Sequence, residues 1–190
     1  MKYTQDWFSH NIPGLLKVLE QAPEKKKFLE IGSFEGRSTC WFLQHALDKD
    51  GSITCIDTFR GSEEHAGMDL SEIKERFLHN TDKAKAKRQT VETLEMPSFQ
   101  GLGKLLGENR VYDFIYVDGS HTAPDVMADA CMAYNLLRFK GVMVFDDYLW
   151  GDKLPVLHSP KMAVDSFCTL YKEKVNIIML GYQLAVIKVA

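Results

Sequence analysis

The chain has 190 residues, 45% of them hydrophobic, with a formal net charge of -3 and a pI near 6.1. That suffices for one packed domain, and the mild acidity argues against a nucleic-acid partner, which usually leaves a basic footprint. No apolar run approaches the roughly 20 residues of a membrane span, the start MKYTQDWFSHNIPG lacks the basic and apolar blocks of a signal peptide, and the scattered Cys40, Cys55, Cys131 and Cys168 form no C-x-x-C pair, so reduced thiols and a cytoplasmic location are expected.

Residues 1–24, with Trp7, His10 and Pro13, predict an N-terminal helical cap. KFLEI (27–31) is a short apolar strand, and GRSTCWFLQHAL (36–47) is a helix with Cys40, Leu43 and Leu47 on one stripe. SITCID (52–57) is the second strand. Residues 60–88 read as an insertion: a polar stretch, a helix over 70–80, and a solvated basic run at 83–88. QTVETL (89–94) is the third strand and SFQGLGKLL (98–106) a short helix. VYDFIYVD (111–118) is the fourth strand, followed by a helix over 125–139 with Pro124 suited to its first turn. GVMVFD (141–146) is the fifth strand, and a helix is expected over 159–174. VNIIML (175–180) and QLAVIKV (183–189) are joined by only Gly181-Tyr182, too short for a parallel crossover, so they form an antiparallel hairpin. The alternation predicts an α/β fold: a three-layer, mostly parallel seven-stranded sheet with a C-terminal antiparallel hairpin, in a single domain over 1–190.

Ligands in such sheets bind beyond the carboxyl ends of the strands. The first turn, FLEIGSFEGRST, carries Glu30-x-Gly32-x-x-x-Gly36 in place of G-x-G-x-x-G. A carboxylate there would repel a dinucleotide's pyrophosphate and suit a cationic ligand, of which S-adenosylmethionine, with its ammonium and sulfonium, is one. Asp57, ending the second strand, can accept hydrogen bonds from ribose hydroxyls, as NAD would also require. Asp57 also reads as a cap on its loop. An NAD-dependent oxidoreductase is thus the alternative, with Glu30 and the final hairpin against it.

The stretches FLEIGSFEGRST, ITCIDTF, GSEEH, VYDFIYVDGSH, GVMVFDDYLW and GYQLAVIKV, in this order over nearly the whole chain, resemble class I S-adenosylmethionine-dependent methyltransferases. More narrowly, the chain is similar to bacterial methyltransferase family 24. The resemblance implies cofactor contacts at Glu30, Gly32, Ser33 and Gly36, ribose contacts at Asp57, and Thr58 or Phe59 beside the adenine. It implies that Ser98 approaches the adenine; Ser98 reads equally as a helix N-cap. One departure is Thr122-Ala123, where the family has a Thr-Tyr pair; an aromatic bordering the substrate is missing.

The family's fold sets the first, fourth and fifth strands side by side, so Asp118 and Asp146 converge. Metal-dependent catechol-type methyltransferases have an acid after the fourth strand and an acid pair, or Asp-Asn, after the fifth; Asp118, Asp146 and Asp147 match this, and a hard cation such as Mg²⁺ would suit them. Adjacent strand residues face opposite ways, so Asp146 and Asp147 share an ion only if the backbone turns between them. Otherwise one lines the cofactor pocket and the other caps the loop. His121 is the candidate base that would take a proton from an acceptor hydroxyl, with Asp118 beside it. His65 reads as a loop residue on the same edge, and Tyr148 and Trp150 as packing residues or pocket walls. No Asn/Asp-Pro-Pro-Tyr stretch is present, which tilts the expected chemistry toward oxygen. The expectation is O-methylation of a small molecule or sugar, with a non-catalytic S-adenosylmethionine-binding module as a further alternative. The partners expected are a small-molecule acceptor and, at most, a second copy in a homo-oligomer.

Overall fold

The computed structural model describes residues 1–62, 65–151 and 153–190. Its elements are α1 (Ile12–Leu19), β1 (Lys27–Ile31), α2 (Arg37–His45), β2 (Ser52–Asp57), α3 (Ile73–Ala84), β3 (Thr90–Glu95), α4 (Ser98–Gly107), β4 (Tyr112–Val117), α5 (Ala123–Leu136), β5 (Leu137–Phe145), α6 (Lys161–Leu170), β6 (Val175–Leu180) and β7 (Leu184–Lys188). The strands make one sheet in the order β3-β2-β1-β4-β5-β7-β6. β1 to β5 run parallel; β7 is antiparallel to β5, and β6 to β7. The expected sheet and hairpin are therefore both present.

The period of two along each strand divides the core. Leu29, Ile31, Ile115, Val117, Met143 and Phe145 face one layer, with α4, α5 and α6. Phe28, Phe114, Tyr116, Val142 and Val144 face the other, with α1 and α2. β4 is buried along its whole length, as a central strand covered on both faces should be. This parity fixes where the residues past each strand end point.

The boundaries differ most from the sequence reading at α5 and β5, at α3 and at α6. The helix expected to Phe139 stops at Leu136, because Leu137 is already extended and pairs with Tyr112. The register then shifts to Phe114 opposite Val142, through a left-handed Lys140 at φ 62°. α3 runs three residues or so later than expected and takes in Lys83 and Ala84 from the basic run. α6 is shorter at both ends, beginning after Pro160. Among the described residues, no helix is long and apolar enough to cross a membrane, and all four cysteines are free.

Candidate active site

A cavity of about 800 Å³ opens at the carboxyl ends of β1, β2, β4 and β5, at the upper end of the ~300–1,000 Å³ common for small-molecule sites. Its wall includes Gly32, Ser33, Asp57, Thr58, Ser98 and Asp118 of the expected cofactor residues. Gly32 has φ +82° and packs so closely on the end of β4 that a Cβ would lie 1.9 Å from the Asp118 carbonyl oxygen. Only glycine permits this approach of the first turn to the fourth strand.

Glu30, Gly36 and Phe59 stand behind the wall. Glu30 is completely buried, and its Oε2 accepts hydrogen bonds from Ser33 Oγ (2.7 Å) and Thr39 Oγ1. Burial pushes its carboxyl above the ordinary range, against the pull of nearby hydroxyls. It is thus no charged group on the wall, as the repulsion argument supposed; it fixes the turn from below. Gly36, at φ +77°, caps α2 and abuts Phe77. Phe59 turns into the core, 5.2 Å from the Phe77 ring. Asp57 does cap its loop: Oδ2 accepts from Ser33 N–H (2.7 Å) and Phe34 N–H (2.8 Å), and Oδ1 from Phe59 N–H (2.6 Å). An ionised carboxylate has about four acceptor positions, so one remains for a ribose hydroxyl. Ser98 is the first residue of α4, with Pro97 as N-cap, so the capping alternative does not hold.

The acids gather at the cavity floor. Asp118, His121 and Asp147 each offer a ligand atom within 4.8 Å of the others. The chain turns after Phe145, which answers the parity objection: Asp147 swings round to accept from His121 Nε2 (2.9 Å) and the Tyr182 hydroxyl (2.8 Å). Asp146 keeps the parity of Val142 and Val144 and faces α1. Its Oδ1 accepts from Asn11 Nδ2 (2.8 Å) and from Gln183 Nε2. Burial, then the charges of Asp146 and Asp147, push Asp118 well above the usual carboxylate range. Burial and the Asp147 charge push Asp146 up to about 7. Asp147 is held low: burial opposes this, but the hydrogen bond and charge of His121, with help from Tyr182, outweigh it. Crowded carboxyls at the floor of a cleft are what a hard divalent cation stabilises, so the residues fit such an ion, with Asp118, His121 and Asp147 each offering it a ligand atom. Sequence reasoning missed Asn11, Tyr182 and Gln183.

Trp150 and His65 line the cavity, His65 stacked on Phe34 at 5.2 Å and Trp150 4.3 Å from the His121 ring. Tyr148 does not: it is buried and donates to Asp165. Glu63 and Glu64, within the GSEEH stretch, lie outside the described residues. The N-terminal segment closes the cavity's edge, contributing Trp7 and His10. Buried Glu35 clamps it, accepting Thr4 N–H (2.6 Å) and Thr4 Oγ1 (2.8 Å) while pairing with Arg76 at 2.7 Å. Glu35→Ala would strand Arg76 and release the segment, a loss of about 2–3 kcal/mol given that Glu72 can still reach the guanidinium. We expect a thermal midpoint lower by about 5–10 °C and faster tryptic cleavage at Lys2; unchanged cleavage would show that Glu35 is not the clamp.

Residues 29–148 match the family described as a methyltransferase domain, family 24. The O-methyltransferase hkm8 of Aspergillus hancockii is 27% identical over 126 residues, 66% of this chain and 44% of hkm8, so the chain spans less than half of that curated relative. Solved structures of other methyltransferases share the fold. The O-methyltransferase TomG from Streptomyces achromogenes, involved in tomaymycin synthesis and solved with S-adenosylmethionine, has a TM-score of 0.67 at 21% identity, covering 95% of this chain and 79% of TomG. CalS11, a TDP-rhamnose 3'-O-methyltransferase of calicheamicin biosynthesis, has a TM-score of 0.62 at 17% identity, covering 95% of this chain and 81% of CalS11. With its sheet order, its first turn and its match over residues 29–148, the chain belongs to the methyltransferase-domain family, on the class I fold of S-adenosylmethionine-dependent methyltransferases.

Proposed function

We propose that the protein transfers a methyl group from S-adenosylmethionine to a hydroxyl of a small molecule. The observation that carries this is the meeting of Asp118, His121 and Asp147 at the floor of the cavity whose other wall holds Gly32, Ser33 and Asp57. S-adenosylmethionine, when bound, supplies an already activated methyl carbon, so the protein's task is position and proton removal. Gly32 and Ser33 give backbone approach to the methionine part. Asp57 offers its remaining acceptor position to the ribose, and Thr58 and Ser98 border the adenine. His121 takes the acceptor's proton, with Asp147 bonded to its Nε2 to hold the ring and stabilise the imidazolium. Asp118, Asp146 and Asp147 would hold a divalent ion, which would lower the pKa of a nearby hydroxyl and leave proton removal to His121.

Calorimetric titration with S-adenosylhomocysteine, in Mg²⁺ and again in chelator, tests the reading. Micromolar binding is expected in both buffers, since the ribose and methionine contacts proposed here are made by Asp57 and the first turn and not by an ion. Absence of binding, with NAD binding in its place, would overturn it.

A further inference from the structure

The acceptor's own chemistry is legible in what surrounds the carboxylates. Asp and Glu outnumber Lys and Arg on the cavity wall by seven to one among the described residues, and still predominate once Asp6 and Glu35, paired with Arg37 and Arg76, are set aside. The exception, Arg37, is committed: it lies 3.3 Å from Asp6 and donates to the Gln5 carbonyl at 3.0 Å. A divalent ion at Asp118 and Asp147 would offset two charges of the three neighbouring carboxylates and leave no surplus of positive charge. A low-dielectric cleft of one sign concentrates ligands of neutral or opposite charge and rejects those of like charge. Phosphate and carboxylate recognition ordinarily calls on Arg or Lys, and here neither is on hand.

The same end of the cavity is walled by rings. Trp150 lies against His121 at 4.3 Å, and Tyr182 meets His10 edge-on at 5.6 Å. Both Tyr182 and His121 bond directly to Asp147, so these rings stand beside the proposed reacting oxygen. Rings so placed receive a flat apolar face by stacking or edge contact.

We propose that the acceptor is a planar aromatic hydroxyl compound that is neutral or amine-bearing, and not a phosphorylated sugar or an aromatic acid. This rests on the methyltransferase reading above. The acceptor oxygen attacks the methyl carbon as the carbon–sulfur bond breaks, S-adenosylhomocysteine leaves with that electron pair, and the hydroxyl proton passes to His121.

The test measures methyl transfer from labelled S-adenosylmethionine, in Mg²⁺, to 4-methylcatechol, dopamine, 3,4-dihydroxybenzoate and TDP-rhamnose, after calorimetry has measured S-adenosylhomocysteine binding. We expect kcat/KM at least tenfold higher for 4-methylcatechol and dopamine than for 3,4-dihydroxybenzoate, and no transfer to TDP-rhamnose. Trp150→Ala should raise KM for 4-methylcatechol at least fivefold while the Kd of S-adenosylhomocysteine stays within twofold. Equal or better use of the carboxylate or the sugar nucleotide would overturn the proposal, as would cofactor binding with no transfer to either uncharged or cationic catechol. Failure to bind S-adenosylhomocysteine at all would instead remove the cofactor reading beneath it.

Discussion

Replacing Gly32 with alanine is expected to lower the thermal midpoint by about 10 °C and to abolish measurable binding of S-adenosylhomocysteine. The new Cβ would sit 1.9 Å from the carbonyl oxygen and 2.6 Å from the carbonyl carbon of Asp118. Both are backbone atoms of a buried strand end, so no rotamer change relieves the overlap. The left-handed φ of +82° adds about 1–2 kcal/mol for any residue with a Cβ. Forced repacking adds about 1–3 kcal/mol more. For a chain of this size each kcal/mol moves the midpoint by about 2–4 °C. The first turn must then withdraw from β4, which moves Ser33 and the Asp57 hydrogen bonds together. A variant with wild-type melting and wild-type affinity would show that this contact is not required.

Asp118→Asn should behave in the opposite way toward stability. The side chain keeps its shape, and an amide replaces a carboxyl that burial and its crowded neighbours already push toward the neutral form. Turnover should fall about a hundredfold or more, since stabilisation of a developing alkoxide by an ion or base is worth several kcal/mol, of which about 3 kcal/mol is a hundredfold in rate. The thermal midpoint should stay the same or rise, as is common where a strained functional cluster is relieved. The paired readings, activity down and melting not down, separate a catalytic role from a structural one. Full turnover by Asp118→Asn would remove Asp118 from the mechanism; a large fall in melting would make it a packing residue.

The sheet was legible because its signals are local. Apolar strands, a two-residue connection at Gly181-Tyr182 and the turn glycines each announce themselves within a few positions. Asp118, Asp146 and Asp147 were legible for the same reason, as acids at strand ends. Their division of labour was not. Which face Asp146 takes follows from strand parity, but its partners are Asn11 and Gln183, and an amide far away in sequence gives no local sign of its partner. Glu30 misled in a related way: its spacing marks the turn correctly, while its burial under Ser33 and Thr39 depends on how α2 packs. Ser98 lines the cavity because Pro97 takes the capping position before it.

The grip on Asp146 has a consequence for how the chain acquires its fold. Asn11 reaches it across a sequence separation of 135, and Gln183 from the opposite end of the chain. Contacts that close such long loops carry the largest entropic cost, and they reward the chain only once the intervening strands are in place. The parallel strands and their flanking helices can therefore form while the acids are still unconstrained. Gln183, beside β7, reaches Asp146 as β7 pairs with β5, and the Asn11 amide closes the longest loop, so its grip on Asp146 comes in the last stages of ordering.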